Sequence, residues 1–469
     1  MDILKILDQI PDYQSFLTVD EMDRNTLALA EQYPDIVQVK EIGRSRWDHP
    51  IYCLVIGNGS QNALLYGCPH PNEPIGAMML EFFTQALCRN PELREELDYT
   101  FYIVKSSDPD GTKLNEGWFK GPFTVSHYQR NFFRPAYAQQ VEWSFPIDYK
   151  THHFHQPIPE TRALMEIIDT RKPTFIYSLH NAGFGGCYWY VTEGNEALFQ
   201  KLYEAPAREQ VPLSLGEPEM PYCQELYPGV YKMVGVIAHY DYLEKFMPGV
   251  DPSTLLTSGT SSDEYANRDG RIQARALINE MPYFYDPRIE DTRPSDMTRR
   301  DAILAECDQT EADFKVLTPI YETIKPLIHT WNPFFISIQD RMATNNAANL
   351  EAKRQWAMNP DFEQPATEAQ KFENLYGMGF YRNLNFAVLR RACVYELENN
   401  RDLTPADAQT LRRCEAEAGA RMEENLRYLE ENLHYQAIPI RKLVRIQMAS
   451  GLLYAQYAHA RHEQEAAAR

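Results

Sequence analysis

Residues 63–76 read ALLYGCPHPNEPIG, and this stretch decides the kind of fold that the chain builds. Its first half is a short apolar run that ends at Cys68, which is typical of a buried strand. Apolar residues with helical spacing begin at Gly76, and Pro74 suits the first turn of a helix. The stretch therefore predicts a strand that passes through a turn into a helix, with His70 and Glu73 in the turn.

Other apolar runs predict three more strands, which alternate with helices. The strands are predicted at 51–57 (IYCLVIG), 99–105 (YTFYIVK) and 175–179 (FIYSL). Helical periodicity covers residues 22–33, 76–88 and 161–171. We therefore predict an α/β fold with a mixed, mostly parallel central sheet and helices on both of its faces. Functional sites of such sheets lie at the carboxyl ends of the strands.

The composition changes near residue 300, where glycine becomes rare and helix-forming residues dominate. Apolar residues then recur at spacings of three and four, which predicts amphipathic helices. The preceding segment, DPRIEDTRPSD at 286–296, mixes proline with charge and is typical of a linker. We predict one domain at 1–298 and an all-helical C-terminal accessory region at 299–469. Three roles for the helical region stay open: a cap over the cleft, a homo-oligomer interface, or a binding surface for a partner.

The 469-residue chain has a formal net charge of −20 and a hydrophobic fraction of 44%. The hydrophobic fraction is normal for a globular protein. The acidity argues against nucleic acid as a partner, because phosphate binding needs a basic face, and it would repel anionic membrane surfaces. No run approaches the ~18 apolar residues of a membrane span, and no secretory signal is visible. Eight scattered cysteines without a CxxC pair indicate free thiols, so we expect a cytoplasmic protein.

Two further polar residues end apolar strands, His180 after FIYSL and Glu280 after ALIN. A lone histidine in such a place is usually part of the core, and an isolated HxxE spacing is a weak signal. Together, however, His70, Glu73 and His180 supply two nitrogens and a carboxylate, which are ligand types of zinc. Three protein ligands leave the fourth zinc position open for water, which marks a catalytic site.

A zinc ion held in this way lowers the pKa of its bound water and polarises a carbonyl group. A second carboxylate then has to take the proton of the water and pass it to the leaving amine. Glu280 fits that role, since a carboxylate at a buried strand end is costly unless it is paired or functional. The sequence thus predicts one zinc ion per chain and the hydrolysis of an amide bond.

The chain from about residue 13 to residue 286 resembles the zinc carboxypeptidase family, the carboxypeptidase A-like metallopeptidases. PHPNEPIGA (69–77) resembles the first zinc motif of the family, and SLHNAG (178–183) resembles the segment that carries the third ligand. DPDG (108–111) resembles its Asn-Pro-Asp-Gly turn, PETRAL (159–164) the start of the helix before the third ligand, and SGTSSD (258–263) the loop of its specificity pocket. The resemblance implies a zinc carboxypeptidase-like catalytic domain in residues 1–298.

The resemblance also implies roles for individual residues. His70, Glu73 and His180 match the zinc ligands of the family, and Glu280 matches its general base. HYQRN at 127–131 is similar to the family's Asp-x-Asn-Arg-Asn segment.

Arg130 of this segment would then bind the terminal carboxylate of the substrate, with Gln129 and Asn131 beside it. A guanidinium fork suits a carboxylate. The alternative is that Arg130 is a surface ion-pair residue. His127 stands where the family has an aspartate that supports the first zinc histidine.

The oxyanion arginine of the family has no direct counterpart, because residues 112–129 contain no arginine. An oxyanion donor is usually worth a few kcal/mol, so another cation should serve, and the candidates are Lys113, Lys120 and Arg134.

The family's mobile tyrosine is also absent from residues 252–257, and Tyr265 and Tyr242 are the candidates to fill its space. A separate cluster consists of His152, His153 and His155, and we interpret it as part of an exposed loop or of the rim of the cleft.

The most direct hypothesis is that the protein is a zinc metallocarboxypeptidase, which releases the C-terminal residue of a peptide or peptide-like substrate with a free carboxylate. An alternative within zinc chemistry is an amidohydrolase that acts on a small acylated amino acid, like the desuccinylases and aspartoacylases. A third is a catalytically impaired relative that uses the cleft for binding. The complete set of His70, Glu73, His180 and Glu280 argues against the third.

Overall fold

A nine-stranded sheet lies at the centre of the structure, a computed structural model that describes residues 2–344 and 347–468. In chain order its strands are β1 (Val37–Arg44), β2 (Pro50–Ile56), β3 (Gln61–Tyr66), β4 (Tyr99–Val104), β5 (Phe175–His180), β6 (Tyr188–Val191), β7 (Glu225–Tyr227), β8 (Val230–Lys232) and β9 (Arg275–Glu280). The four strands predicted from apolar runs correspond to β2, β3, β4 and β5, with bounds that agree to within about two residues.

The strands follow one another across the sheet in the order β1-β2-β4-β3-β5-β9-β6-β8-β7. The four central strands β4, β3, β5 and β9 run parallel to one another. Antiparallel pairs flank them, with β2 between β1 and β4 on one side and β6 against β9 on the other. The predicted mixed, mostly parallel sheet is therefore confirmed. In its centre, Glu280 at the end of β9 pairs directly with His180 at the end of β5.

Helices cover both faces of the sheet, as predicted. The α-helices of the described residues are α1 (Ile3–Leu7), α2 (Val19–Gln32), α3 (Ile75–Arg89), α4 (Pro91–Leu97), α5 (Pro109–Lys113), α6 (Val125–Asn131), α7 (Pro159–Arg171), α8 (Glu196–Glu209), α9 (Val236–Phe246), α10 (Ser262–Asn267), α11 (Arg299–Ile324), α12 (Pro333–Thr344), α13 (Ala347–Ala357), α14 (Glu368–Phe372), α15 (Met378–Asn399), α16 (Pro405–Asn432) and α17 (Ile440–Ala467).

Successive residues of β3 point to opposite faces, as the pleat of a strand requires. Ala63 and Leu65 belong to the larger core, which they share with apolar residues of α3, α8 and α17. Leu64 and Tyr66 belong to a second core, which they share with α7. Since both faces of β3 are buried, its sequence is a continuous apolar run rather than an alternating one.

The helical region that begins at α11 shares the larger core with the sheet. Its last helix, α17, packs on the same face of the sheet as α3 and α8. Close approach is possible because residue 451 is glycine: a Cβ atom there would lie 2.6 Å from Cε1 of Tyr177 in β5. Gln447 of α17 donates a hydrogen bond of 2.8 Å to the carbonyl oxygen of His180. The C-terminal helix therefore supports the strand that carries a predicted zinc ligand.

The segment predicted as a linker, 286–296, is instead part of the packed structure. Residues Pro294–Thr298 pair with Pro365–Thr367 of the helical region. Two other short strand pairs join Phe284–Tyr285 to Gln436–Ala437 and Ile147–Tyr149 to His152–Phe154. Proline and charge predicted a flexible segment here because the pairing partner lies far away in the sequence.

The eight cysteines are free thiols, and all except Cys223 are buried. Among the described residues, no helix is both long enough and apolar enough to cross a lipid bilayer.

Candidate metal centre

The ends of β3 and β5 lie at one edge of the sheet and position the candidate ligands. After β3 the chain turns at Cys68, which has a φ of +51°, and His70 and Glu73 follow before α3 begins. His180 is the last residue of β5. The amide oxygen of Asn181 accepts a hydrogen bond from the backbone N–H of Ile75 at 3.1 Å, which joins the two ligand segments.

The side chains of His70, Glu73 and His180 converge on one point. Their possible ligand atoms all lie within 4.8 Å of one another. Nδ1 of His70 is 3.2 Å from both carboxylate oxygens of Glu73, and Nδ1 of His180 is 3.3 Å from Glu73 Oε2. All three side chains are buried. The sequence thus identified three residues that the fold brings together.

The protonation of these groups suits a metal ion. Burial, together with the charge of Arg134, lowers the pKa of His70 to about 3, so that its imidazole is neutral. Burial opposes the ionisation of Glu73, but electrostatic interactions with the His70 ring and with the charge of Arg134, together with hydrogen bonds from His180 and His70, hold the pKa of its carboxyl below the ordinary value. Neutral imidazole and ionised carboxylate are the forms that bind metal ions. Two nitrogens and one carboxylate beside a cavity fit a zinc ion with an open position.

A buried carboxylate, Glu142, orients the second histidine through a serine. Ser178 Oγ donates a hydrogen bond to Glu142 Oε2 at 2.8 Å and lies 2.9 Å from His180 Nε2. Since the serine hydroxyl gives its hydrogen to Glu142, it accepts from Nε2–H of His180, which leaves Nδ1 free to bind a metal. Such second-layer contacts fix the tautomer of a ligating histidine.

Glu142 is held in place by further hydrogen bonds from Ser262, whose N–H and hydroxyl each lie 2.9 Å from Oε1, and by the hydroxyl of Tyr66. Sequence reasoning missed this residue. The available signal was an acidic residue inside the apolar run Val141–Phe145, where a carboxylate needs partners.

Glu280 lies beside the three ligands, with Oε1 3.6 Å from Nδ1 of His180. Its side chain is buried, and burial together with the charges of Glu73 and Glu219 raises the pKa of its carboxyl well above the ordinary value. The structure therefore brings Glu280 to the same edge of the sheet as the ligands, as the sequence analysis expected.

Among the three candidates for an oxyanion donor, Arg134 is the one at the site. Its guanidinium forms an ion pair with the carboxylate of Glu73 through Nη2. Lys113 instead pairs with Asp20 at 2.9 Å, and Lys120 pairs with Glu21 at 2.7 Å.

The substrate-binding residues expected from the resemblance do not line the cavity at the metal centre, and this expectation is corrected. Arg130 lies on the outside of α6, where its Nε and Nη2 donate to the carboxylate of Glu423 at 2.8 and 2.7 Å. Gln129 is buried on the other side of α6 and donates to the carbonyl oxygen of Phe380 at 3.0 Å. Asn131 donates back to the carbonyl oxygen of His127. The sequence placed these residues on one short segment, but the packing of α6 directs them away from the metal centre.

His127 also lacks the role that its place in the segment implied. Nε2 of His127 and Nε2 of His70 both have no hydrogen-bond partner among the described residues, so the two rings are not joined. The two tyrosines proposed to replace the mobile tyrosine lie elsewhere. Tyr265 donates to Asp169 at 2.8 Å, and Tyr242 packs in a separate apolar cluster.

The predicted specificity loop at 258–263 does not reach the cavity either. Asp263 accepts hydrogen bonds from Thr192 at 2.7 Å and from Asn267 at 3.1 Å, and Ser261 caps α10. Within the described part of the chain these residues support the sheet and its neighbouring helix.

The histidine cluster divides between a buried and an exposed part. His152 is buried and lies 2.8 Å from the carbonyl oxygen of Ser258. His153 and His155 are exposed and both contact Asp148, at 2.7 and 2.9 Å. This exposed cluster does not belong to the cavity at the metal centre.

A cavity of about 420 Å³ opens in front of the metal centre. Its lining contains His70, Glu73, Arg134 and Glu280. The helical region contributes Arg341, Lys353, Glu373, Tyr381 and Arg382 to the same lining. The cavity is thus built jointly by the sheet edge and by helices that follow residue 298.

The geometry fits a site for a single metal ion, and comparison with known proteins adds a match to a zinc-dependent family. The family model described as zinc carboxypeptidase matches residues 22–243. Residues 22–243 thus match the zinc carboxypeptidase family, in agreement with the resemblance of the sequence motifs. No curated protein matches the chain.

Several solved structures are similar to this chain, each at low identity. Bovine thrombin-activatable fibrinolysis inhibitor, in complex with a tick carboxypeptidase inhibitor, is 12% identical, with 57% of this chain and 86% of that chain covered and a TM-score of 0.38. Carboxypeptidase A from Helicoverpa armigera is 14% identical, with coverage of 60% and 71% and a TM-score of 0.39. Murein-tripeptide amidase MpaA from Escherichia coli O157 is 17% identical, with coverage of 53% and 88% and a TM-score of 0.26.

Proposed function

We propose that this protein is a zinc-dependent hydrolase of the carboxypeptidase type, which cleaves an amide bond next to a free carboxylate. The observation that carries the proposal is the convergence of His70, Glu73 and His180 beside Glu280, at a cavity that His70, Glu73 and Glu280 line. Three ligands with one open position are typical of catalytic rather than structural zinc. The match of residues 22–243 to the zinc carboxypeptidase family supports the same class.

His70, Glu73 and His180 would hold the zinc ion, which supplies a Lewis acid and lowers the pKa of a bound water. Glu280 takes the proton of the attacking water at its carboxylate and delivers it to the nitrogen of the leaving amine. Burial beside Glu73 and Glu219 raises the pKa of Glu280, which makes the carboxylate a better proton acceptor. Arg134 lies next to Glu73 and stabilises the negative charge that develops on the carbonyl oxygen of the substrate.

A second candidate is an amidohydrolase that acts on a small acylated amino acid. The observation that favours it is that the helical region contributes residues to the lining of the cavity and so limits the space for substrate. Both candidates share the same metal centre and the same general base. They differ in the length of chain that the substrate carries on the acyl side of the scissile bond.

The proposal is tested with purified protein from which metal has been removed by a chelator. A panel of free-carboxylate peptides and N-acyl amino acids is incubated with the protein before and after the addition of one equivalent of zinc, and products are identified by mass spectrometry. We expect hydrolysis that depends on zinc and releases a single C-terminal residue or free amino acid. An absence of zinc-dependent products across the panel would contradict the proposed activity, and cleavage at internal bonds would contradict the class of substrate.

A further inference from the structure

A short hairpin on the surface carries a second group of side chains with the chemistry of metal ligands. Its two strands, Ile147–Tyr149 and His152–Phe154, are antiparallel, and Asp148 lies directly opposite His153. Residues that are directly opposite each other place their side chains on the same face of a hairpin. His155 follows His153 by two residues, which is the spacing that returns a side chain to that face. One carboxylate and two imidazoles therefore share one face of the hairpin.

The three side chains are already in contact with one another. Oδ1 of Asp148 lies 2.7 Å from Nδ1 of His153 and 2.9 Å from Nε2 of His155. One ligand atom from each of the three residues lies within 4.8 Å of the other two. All three side chains are more than half exposed. The carboxylate thus holds both imidazoles together at the surface.

The spacing of these atoms suits a small cation. Zinc binds nitrogen and oxygen ligands at about 2.0–2.2 Å, which separates two ligands of a tetrahedron by roughly 3.3 Å. The contacts of Asp148 with His153 and His155 would have to lengthen by about 0.5 Å to admit such an ion. Exposed side chains allow a change of this size, because no packed neighbour has to move with them.

The opposite face of the hairpin is attached to the body of the protein. Tyr149 and His152 pair with each other across the two strands. The hydroxyl of Tyr149 donates to Asp241 of α9 at 2.9 Å, and Nε2 of His152 lies 2.8 Å from the carbonyl oxygen of Ser258. The ligand side chains therefore extend from an anchored hairpin rather than from a free loop, and anchored elements hold a site more precisely.

The donor set selects the class of metal ion. Two imidazole nitrogens and one carboxylate oxygen suit zinc, nickel or copper, whereas magnesium and calcium prefer oxygen ligands alone. The lysine in the turn of the hairpin, Lys150, is engaged with Asp241 and Glu244 at 2.8 and 2.7 Å. The formal net charge of −20 also favours the approach of a cation.

We propose that Asp148, His153 and His155 form a second metal site, which binds a divalent transition-metal ion such as zinc at the surface. None of the three residues lines the cavity at the buried metal centre, so the proposal does not depend on the proposed function. Water completes the coordination, as at other zinc sites with three protein ligands.

The bound ion links the two strands of the hairpin, because Asp148 lies on the first strand and His153 on the second. Since the ligands are open to solvent, this ion exchanges readily and is lost on dialysis. The zinc content of dialysed protein therefore counts the buried centre alone. An ion that binds the folded hairpin also stabilises it in proportion to the logarithm of the metal concentration.

The test uses the full chain with zinc already bound at the buried centre. Calorimetry measures the uptake of further zinc, up to ~0.1 mM, at about pH 7.5, because protons compete with metal for the imidazole nitrogens. We expect one further equivalent in the unmodified protein and none in the double variant His153→Ala with His155→Ala. Magnesium or calcium at the same concentrations should not bind there.

Single variants and a matched control locate the site. Asp148→Asn, His153→Ala and His155→Ala should each lower the affinity for the further equivalent at least ~10-fold, since loss of a ligand costs more than loss of a second-layer partner. His434→Ala changes an exposed histidine outside the hairpin and should leave the affinity unchanged. In protein labelled with ¹⁵N-histidine, zinc should shift the ring signals that disappear in His153→Ala and His155→Ala.

Two results would overturn the site: no further equivalent in the unmodified protein, or the same further equivalent in the double variant. Equal binding of magnesium or calcium would overturn the class of metal ion. Thermal melting without added metal checks that each variant keeps the fold, which we expect because the three side chains are exposed.

Discussion

Arg130 holds Glu423 through two hydrogen bonds of 2.8 and 2.7 Å on the outer surface of the molecule. Both side chains are more than two fifths exposed. An exposed ion pair of this kind contributes about 0–1 kcal/mol to stability. The arginine that the sequence motif assigned to substrate binding thus joins α6 to α16 instead.

This pair leads to a direct prediction for Arg130→Gln. Because the side chain does not reach the cavity, kcat/KM for a free-carboxylate substrate should stay within about twofold of the unmodified protein. Steady-state kinetics measure it, with Arg134→Gln as the comparison at the metal centre. A hundredfold loss in kcat/KM for Arg130→Gln would show that this residue does bind substrate.

Glu280→Gln should keep the zinc ion and lose nearly all turnover. An amide cannot accept a proton from water, and general-base catalysis by a placed carboxylate is worth ~10²–10⁴-fold. Zinc content is measured by atomic spectroscopy and kcat by product release. The control is Glu225→Gln, an exposed carboxylate on the edge strand β7. Turnover by Glu280→Gln close to that of the control would rule out the general-base role.

Zinc stoichiometry separates the two histidine clusters. The unmodified protein should bind about one equivalent of zinc, because the buried cluster of His70, Glu73 and His180 is the one beside the cavity. His70→Ala should remove most of this zinc after dialysis. The double variant His153→Ala with His155→Ala changes only the exposed cluster and should still bind one equivalent. Retention of zinc by His70→Ala and its loss from the double variant would reverse the assignment.

Glu142→Gln should weaken zinc binding without removing any ligand. The carboxylate of Glu142 orients Ser178, and Ser178 in turn holds Nε2 of His180. Loss of a second-layer partner typically costs ~10–100-fold in metal affinity. Competition with a chromophoric chelator gives the affinity, and Glu225→Gln, which changes an exposed carboxylate on the edge strand β7, serves as the control. An unchanged zinc affinity would show that the serine alone orients His180.

Stability should depend on pH through Asp108 in the DPDG turn. Burial, with the charge of Glu160 added and that of Arg46 opposing, raises the pKa of Asp108 to about 7. Since the pKa is higher in the folded chain than in the unfolded chain, the folded state holds the proton more tightly. This carboxyl therefore destabilises the fold progressively as the pH rises from about 4 to about 7.

Asp108→Asn tests this sign. Asparagine can still cap α5 by accepting from the N–H of Gly111, which now lies 3.0 Å from Asp108 Oδ1. The variant should melt at a higher temperature than the unmodified protein at pH 8, and the difference should shrink toward pH 4. Thermal melts across this range measure it. If the difference in melting temperature does not change with pH, or if the variant melts at a lower temperature at pH 8, ionisation of Asp108 does not destabilise the fold.

The sequence was sufficient to predict the local parts of the site. His70 and Glu73 are three residues apart in a turn between an apolar run and a helix, and His180 and Glu280 each follow an apolar run. Parallel strands end at one edge of a sheet, so residues at strand ends are neighbours once the strands are recognised. The apolar runs themselves were strong signals because β3, β4, β5 and β9 are buried on both faces.

The sequence did not predict the contacts between residues that are far apart in the chain. Glu142 reaches His180 through a serine 36 residues away from it in the chain, and Ser337 contacts an arginine 203 residues away. No spacing in the sequence encodes such pairs. The segment at 127–131 illustrates the error that results, because a motif names residue types but does not give the direction of their side chains.

The sequence by itself determined which strand ends carry the candidate ligands, the zinc-type donor set and the change to helices near residue 300. Each of these depends on residues within a few positions of one another and on the pattern of apolar side chains. Only the tertiary structure decided that Arg130 points outward, that Arg341 points into the cavity and that the helical region covers the metal centre. The physical reason is that side-chain direction on a helix is set by the surface against which the helix packs, and that surface comes from distant parts of the chain.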